Sequence, residues 1–300
     1  MHIPIAIVEN GALAESCGGD PVVPWWSFTK TVIAAAALAL VRDGRLALDA
    51  PLPGRQFTLR QLLQHRAGVA EYGSIADYRA AVARDEEPWP VATLLARAQA
   101  DRLRYPPGEG WIYSNIGYLF VRELIEQTRG ENLDTALRAL VLTPLGIAGP
   151  RIAMTRADLA DIAMAGRSYH PGWVYHGLVV GRLDDAALLL DRLLTGDLLP
   201  PALHDAMRRA YTVATDMEQG RWRTVAYGLG LVCGIARNGS TVLGHTGGGP
   251  GSVIAVYRVL SALPFTAAAF ATGEDPAPVE EAVFDCGQPQ PANPGVPPTP

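Results

Sequence analysis

The chain has 300 residues, 49% of them hydrophobic, and a formal net charge of −5 at pH 7. Such a chain can bury a large core in one domain or two, and its acidic balance without a basic cluster excludes nucleic acid and anionic membranes as expected partners. Three cysteines and six histidines show no metal-ligand spacing, so the thiols are expected to be reduced and neither a metal nor a cofactor is expected.

The first residues, MHIPIAIVENG, resemble a strand and not a signal peptide. Residues 3–8 and 12–16 are predicted to form two strands joined by a hairpin turn at Asn10-Gly11. The longest apolar run, 32–41, is too short to cross a bilayer. We therefore expect a soluble, cytoplasmic protein without a membrane partner.

A long helix is predicted next, over residues 27–43, with Gly44 ending it. Its residues are apolar nearly all round, which predicts burial. From residue 58 to about 203 the patterns are mainly helical, and the clearest helices cover 59–65, 75–84, 91–100, 116–128, 133–141 and 184–195.

The pattern then changes to period two and to β-branched runs. Strands are predicted over 224–236, 241–246, 252–259 and 264–271, with a hairpin turn at Asn238-Gly239. A short helix follows over 278–284, and the Pro-rich segment 287–300 is expected to be a disordered tail.

These elements predict an α+β fold: an antiparallel sheet flanked by helices and interrupted by an all-helical insertion. The sheet domain would comprise residues 1–57 and 204–286, and the insertion residues 58–203. A cleft between the two parts is the expected place for a functional site.

Lys30 is the single lysine among 25 basic residues, and it lies three residues after Ser27. Arginine cannot give up its proton in a protein, whereas a desolvated lysine can. A neutral Lys30 on the same helical face as Ser27 could take the proton of the Ser27 hydroxyl as the serine attacks a carbonyl. The alternative interpretation is a surface lysine beside a helix-capping serine.

Two further segments carry candidate site residues. Tyr113-Ser114-Asn115 could place a phenol and an amide in one cleft, although Asn115 could equally cap the next helix. His245-Thr246-Gly247-Gly248 ends a predicted strand, and glycine there allows a ligand to approach the backbone. Taken alone, this glycine-rich segment could also be a simple turn.

In this order the three segments resemble the serine β-lactamase and penicillin-binding protein family, particularly its class C-like branch of DD-peptidases, esterases and amidases. Similarity extends to flanking segments such as Thr58-Leu59-Arg60-Gln61-Leu62-Leu63-x-His65 and Pro144-Leu145-Gly146. The resemblance runs from about residue 20 to 272 and implies the β-lactamase/transpeptidase-like fold.

The resemblance also implies an acyl-enzyme route. Ser27 would be the nucleophile, Lys30 its activator and Tyr113 a proton-transfer residue. Substrate would bind at Asn115, His245, Thr246, Gly247 and Gly248. The backbone N–H groups of Ser27 and Gly248 would form the oxyanion hole.

The chain departs from the family pattern in two ways, one that bears on the substrate and one that bears on how the sheet is covered. Many penicillinases carry lysine where this chain has His245, and a neutral histidine is a poorer anchor for a substrate carboxylate. The C-terminal helix is also short, so a partner subunit in a homo-oligomer could cover the sheet.

The preferred hypothesis is therefore a serine hydrolase that cleaves a small ester or amide through an acyl-enzyme on Ser27. A DD-carboxypeptidase or β-lactamase acting on D-Ala-D-Ala-like or lactam substrates is the first alternative. A non-catalytic binding module is the second, and acyl transfer to an alcohol or amine also stays open.

Overall fold

A computed structural model describes residues 3–164, 169–215 and 217–286 of the chain. The segment 287–300, for which a disordered tail was expected, lies outside the described residues. The strands in chain order are β1 (Ile5–Glu9), β2 (Ala12–Cys17), β3 (Val22–Pro24), β4 (Arg151–Ala153), β5 (Leu178–Arg182), β6 (Tyr211–Ala214), β7 (Trp222–Tyr227), β8 (Val232–Ala236), β9 (Thr241–Gly249), β10 (Ser252–Leu260) and β11 (Phe265–Thr272).

The helices fall mostly between β3 and β6. They are α1 (Thr29–Arg42), α2 (Leu59–Leu63), α3 (Ala76–Ala83), α4 (Val91–Arg97), α5 (Asn115–Arg129), α6 (Leu133–Leu137), α7 (Leu183–Thr195), α8 (Pro201–Arg208) and α9 (Ala277–Phe284). A 3-10 turn, Trp26–Phe28, precedes α1, and a π-helical segment, Arg138–Leu142, continues α6.

Eight strands form one antiparallel sheet in the order β2-β1-β11-β10-β9-β8-β7-β6. The first strand of the chain therefore pairs with the last, β11, near one side of the sheet. Strand β10 is buried over most of its length because helices cover both faces of the sheet, α7 on one face and α9 on the other. This architecture confirms the predicted α+β fold.

The predicted strand 224–236 is in fact two strands, β7 and β8. Between them, Gly230 has a left-handed φ of +75°, and its backbone oxygen accepts a hydrogen bond of 2.7 Å from Thr31 Oγ1 in α1. A Cβ at Gly230 would lie 2.4 Å from Ala34 Cβ. The break lets the turn between these strands pack directly on α1, a contact that periodicity alone does not reveal.

Helix α1 is buried from Thr29 to Leu40, as its all-round apolar pattern predicted. It ends at Arg42, and Gly44 follows with a φ of +68° that favours glycine. The helix packs between α5 and the π-helical segment. The helix begins at Thr29 and not at residue 27 as predicted, because Ser27 lies in the preceding 3-10 turn and Lys30 in the first turn of α1. The surrounding core fixes the position of both residues.

A small second sheet, β3-β5-β4, was not predicted. Its strands have three to five residues and pair residues 22–24 with residues 180–182, far apart in the sequence. Val179 O accepts from Trp25 N at 2.8 Å, and Val179 N donates to Thr29 Oγ1 at 3.1 Å. These bonds attach β5 to the start of α1.

Asp191 of α7 is completely buried against the large sheet. It accepts hydrogen bonds from Gly11 N at 2.9 Å, from Thr266 Oγ1 at 2.7 Å and from Arg258 Nη1. One carboxylate thus connects α7 to the β1–β2 turn, β10 and β11.

The division into a sheet domain and a helical insertion stays a prediction. Helix α7 falls inside the predicted insertion, 58–203, yet it packs on β1, β10 and β11 of the large sheet. Among the described residues, no helix is both long enough and apolar enough to cross a membrane.

Candidate active site

Ser27 and Lys30 lie together at the start of α1. Lys30 Nζ is 3.2 Å from Ser27 Oγ, within hydrogen-bond distance. Lys30 is fully buried, whereas Ser27 is partly exposed. The hydroxyl is therefore open to a ligand while the amine beside it is shielded from water.

Burial lowers the pKa of Lys30 from 10.5 to about 7, and the nearby Glu71 carboxylate partly opposes this effect. Desolvation disfavours the ammonium form because the charge loses its hydration. Near neutral pH a substantial fraction of Lys30 is therefore the free amine, which can accept a proton from Ser27.

The backbone just before Ser27 is held in an unusual conformation. Trp26 has a φ of +41°, in the left-handed region that costs a residue with a side chain about 1–2 kcal/mol. Its indole nitrogen donates to Ser252 Oγ at 3.0 Å, and its ring packs on Tyr169. These contacts help to hold Trp26 in this conformation and so fix the direction of Ser27.

Two glycines of β9 allow the sheet to lie against this segment. A Cβ at Gly247 would be 2.6 Å from Trp25 O and 2.9 Å from Ser27 N, and a Cβ at Gly249 would be 2.4 Å from the Trp26 ring. Both positions require glycine because β9 packs this closely on residues 25–27. The predicted substrate contact at Gly247 stays a prediction.

Gly248 lies between these glycines and faces the cleft. The cleft has a volume of about 110 Å³, and Ser27, Asn115 and His176 also line it. Most of the remaining wall is aromatic and comes from Trp26, Tyr72, Tyr78, Tyr169 and Trp173. A small substrate with an apolar portion fits such a wall.

Tyr113 lies close to both reactive groups. Its ring centroid is 4.9 Å from Lys30 Nζ, and its buried hydroxyl makes no hydrogen bond within 3.5 Å to the described residues. Burial raises the pKa of Tyr113, with the neighbouring Ser27 hydroxyl acting in the opposite direction. At neutral pH the phenol is therefore protonated and can serve as a hydrogen-bond donor.

Asn115 begins α5 and lines the cleft, and its side chain hydrogen-bonds to Glu71 and not to Lys30. Its Nδ2 donates to Glu71 Oε1 at 2.8 Å, and its backbone N–H donates to Glu71 Oε2. Ser114, not Asn115, caps the helix by accepting from Gly117 N at 2.9 Å. No sequence motif had pointed to Glu71.

His176 also lines the cleft; the sequence had left Tyr175 and His176 between a cleft-lining position and a core or surface-loop position. It lies just before β5, is 3% exposed, and its Nε2 is 3.2 Å from Lys30 Nζ. Burial, and then Lys30, lower the pKa of His176 well below 6.5, so the ring is neutral. The unpredicted small sheet is what brings this histidine to the lysine.

His245, predicted to flank the substrate, lies deeper than expected. Its Nδ1 donates to Thr246 O at 2.7 Å, so its Nε2 accepts from the Tyr227 hydroxyl at 2.8 Å. Burial lowers the pKa of His245 to about 3. A neutral ring with both nitrogens bonded presents no positive charge to a carboxylate, and a substrate-binding role for His245 stays a prediction.

Thr246 points to the opposite face of β9, toward α9. Its Oγ1 donates to Glu280 Oε1 at 2.6 Å and lies 2.8 Å from the Tyr257 hydroxyl. Glu280 is 8% exposed, and Trp222 Nε1 donates to its other oxygen at 3.2 Å. The hydroxyl of Thr246 is thus held away from the cleft, and a substrate contact by its side chain is not part of this arrangement.

His65 supports the site from beneath. Its Nδ1 accepts from Ser114 N at 3.0 Å, and its ring lies 4.3 Å from the Tyr113 ring. In the described ranges, no group of His, Cys, Asp or Glu side chains is arranged to hold a metal ion. The chemistry that the arrangement can perform is proton transfer from a serine to a neutral amine.

Comparisons with known proteins agree with this geometry. The family model described as Beta-lactamase matches residues 5–284. Esterase EstB of Burkholderia gladioli is 33% identical over 142 residues, which cover 40% of this chain and 36% of that protein. A penicillin-binding protein of Bacillus subtilis (strain 168) is 24% identical over 267 residues, which cover 78% of this chain and 57% of that protein.

A solved structure of a D-stereospecific amidohydrolase from Streptomyces sp. is similar over nearly the whole fold. It has a TM-score of 0.78 and 26% identity, and the match covers 96% of this chain and 94% of that chain. By contrast, the chain spans less than two thirds of the length of the esterase and of the penicillin-binding protein.

Proposed function

The chain belongs to the beta-lactamase family, and we propose that it is a serine hydrolase that cleaves a small ester or amide through an acyl-enzyme on Ser27. The observation that carries this proposal is the 3.2 Å contact between Ser27 Oγ and a fully buried Lys30 whose pKa is about 7. A hydroxyl open to the cleft beside a shielded, partly neutral amine is an activated nucleophile.

In the first step, Ser27 Oγ attacks the substrate carbonyl carbon while its proton passes to Lys30 Nζ. The negative charge on the carbonyl oxygen would be stabilised by the N–H groups of Ser27 and Gly248. The close approach of Gly247 to Ser27 N supports this pairing. The tetrahedral intermediate then collapses and expels an alcohol or an amine.

The leaving group needs a proton, and in this proposal Tyr113 relays it. Its hydroxyl is protonated at neutral pH and lies beside Ser27 and Lys30. The proton that Lys30 accepted could return through this phenol to the departing oxygen or nitrogen. Water would then cleave the acyl-enzyme by the same proton transfers in reverse.

The cleft favours esters or amides over substrates that need a carboxylate anchor. Its wall is mainly aromatic, and His245 is neutral with both ring nitrogens bonded. The activities named for the esterase and for the D-stereospecific amidohydrolase support the same class of substrate. A panel of p-nitrophenyl esters and D-amino-acid amides is therefore the appropriate first screen.

Intact-mass spectrometry with a fluorophosphonate tests the proposal directly. The wild-type protein should gain one adduct, the Ser27→Ala variant should gain none, and a Ser261→Ala variant at an exposed turn should react like the wild type. A wild-type protein that gains no adduct, or equal labelling of the Ser27→Ala variant, would show the proposal to be wrong.

A DD-carboxypeptidase or β-lactamase activity is the second candidate, favoured by the similarity to a penicillin-binding protein. Incubation with penicillin distinguishes it. A long-lived penicilloyl adduct or rapid ring opening would support this activity, whereas hydrolysis of esters without any reaction with penicillin would leave the first proposal standing alone.

We also propose that the protein works in a reducing compartment such as the cytoplasm. The support is that Cys17, Cys233 and Cys286 are unpaired thiols. Fractionation of the native cells with an antibody to the protein would test this location.

A further inference from the structure

Lys30 Nζ has a second close partner that the proposed reaction has not used. His176 Nε2 lies 3.2 Å from this amine, the same distance that separates the amine from Ser27 Oγ. His176 is buried, lines the cleft and is held by the strand that follows it, since β5 is bonded to the start of α1.

The proton on the His176 ring can be assigned from its partners. A neutral imidazole carries one donor and one acceptor nitrogen, and an ammonium group can only donate. Once Lys30 has taken the proton of Ser27, Nε2 must therefore be the acceptor and Nδ1 must carry the ring proton. Nδ1 is buried and has no hydrogen-bond partner among the described residues.

We propose that His176 is a positioning residue for acylation: its Nε2 accepts a hydrogen bond from Lys30 and so holds the amine beside Ser27 and stabilises the ammonium form. This inference rests on the proposed function, because it gives His176 a part in the same proton transfer. No bond to carbon forms at His176, and it neither gains nor loses a proton during the reaction.

Packing alone does not account for a histidine here. A buried N–H without a partner costs free energy that an apolar side chain of similar size would not incur. The unpaired Nδ1 is therefore a cost, and the contact between Nε2 and the amine of Lys30 is the interaction that offsets it.

In the described part of the chain, five other titratable groups surround Lys30, and one of them is charged. Glu71 is the charged neighbour and raises the pKa of Lys30. The remaining groups are neutral at pH 7, because burial lowers the pKa of the two histidines and raises that of the tyrosines; they are His65, His245, Tyr113 and Tyr118. None of these four described residues has a hydrogen bond to Nζ, whereas His176 does.

The single lysine makes a direct measurement simple. Protein labelled with ¹³C-lysine gives one side-chain lysine signal, whose shift with pH reports the pKa of Lys30. In His176→Leu the acceptor is lost, and we expect this pKa to fall by about one unit. In His176→Gln, an amide oxygen can replace Nε2, and we expect the pKa to stay within about 0.3 units of the wild type.

An unchanged pKa in His176→Leu would overturn the proposal, because a purely structural histidine would not affect the amine. A rise would overturn it too, since Nε2 would then have been a donor to the neutral amine. If His176→Leu does not fold, ¹⁵N-histidine spectra of the wild type decide, with the His176 signals identified by their loss in His176→Gln. A proton on Nδ1 supports the proposal and a proton on Nε2 refutes it.

These spectra do not depend on catalysis. The role of His176 can therefore be wrong while the proposed hydrolase function is right, and it can be right while that function is wrong. Activity adds a second test. The acid limb of the pH profile of kcat/KM should move to lower pH in His176→Leu by about the same unit and stay in place in His176→Gln. The rate at its optimum should fall roughly tenfold to a hundredfold in the leucine variant, whereas identical profiles in all three proteins would contradict the positioning role.

Discussion

Gly247 lies directly against the backbone nitrogen of Ser27. A Cβ added at Gly247 would be 2.9 Å from Ser27 N and 2.6 Å from Trp25 O, closer than Cβ atoms approach other heavy atoms in folded proteins. The close packing of β9 on Ser27 therefore depends on the absence of a side chain at Gly247.

Gly247→Ala should separate β9 from the nucleophile. Since the added methyl group must displace backbone atoms, we expect kcat/KM to fall about a hundredfold and the free energy of unfolding to fall by about 1–3 kcal/mol. Ester hydrolysis and urea denaturation measure the two effects. Gly117→Ala is the control, because its Cβ would have ordinary contacts, the nearest at 3.5 Å. Near-normal activity in both variants would contradict the requirement for close packing of β9 on Ser27.

Lys30→Arg should abolish most activity, because a guanidinium group cannot accept the proton of Ser27. Removing a general base costs roughly 10²–10⁴-fold in rate, measured as kcat/KM for an ester. Arg42→Lys exchanges the same residue types at the other, more exposed end of α1 and should leave kcat/KM unchanged. Turnover near the wild-type rate in Lys30→Arg would exclude the proton-acceptor role.

Burial of Lys30 also predicts how stability depends on pH. Its pKa is about 7 in the folded protein and close to the ordinary value of 10.5 when unfolded. Between these values the unfolded chain holds more protons, so the free energy of unfolding should increase with pH, by at most about 1.4 kcal/mol per pH unit. Below pH 7 Lys30 is protonated in both states, so this gain in the free energy of unfolding is absent.

Lys30→Met removes the titrating group and should therefore remove this increase. Urea denaturation of both proteins at pH 7 and pH 9.5 gives the comparison, since every other group is shared. Parallel pH dependences in the wild type and in Lys30→Met would mean that the amine is not desolvated in the folded state.

Asp191→Ala should destabilise the fold by about 3–5 kcal/mol, because it leaves Arg258 without its buried partner. The matched control is Asp77→Ala, which breaks the pair with Arg97 at the surface, where the two side chains are 70% and 43% exposed. That variant should change the free energy of unfolding by less than about 1 kcal/mol. Equal effects in chemical denaturation would contradict the structural role of Asp191.

The parts of the site that the sequence predicted are those encoded by short local spacing. Ser27 and Lys30 lie three residues apart, and their contact follows from one helical turn. Glu71 and His176 reach the site from separate segments and belong to no motif of the family pattern. Only pairing between residues 22–24 and 180–182 brings His176 to Lys30, and pairing over such a distance leaves no periodic signal in the sequence.

In the fold, too, the features with local sequence signals were predicted, and those that depend on contacts between distant residues were not. Helix α1 and the hairpin at Asn10-Gly11 were predicted because burial pattern and turn residues are local signals. The break at Gly230 was missed because its cause is the fit against Ala34, a residue nearly 200 positions earlier. The direction of the Thr246 side chain could not be predicted for a similar reason, since strand alternation places it on one face but does not say which face is the cleft.

The hydrogen bond between Thr246 and Glu280 ties the last helix to the strand that borders the cleft. Loosening of α9 on heating would therefore be transmitted through β9 to Ser27 before the rest of the sheet melts. Inactivation should then precede the loss of circular dichroism on a temperature ramp, so that the enzyme's working range ends below its melting temperature. The stability of α9 would then set the highest temperature at which the site keeps its geometry.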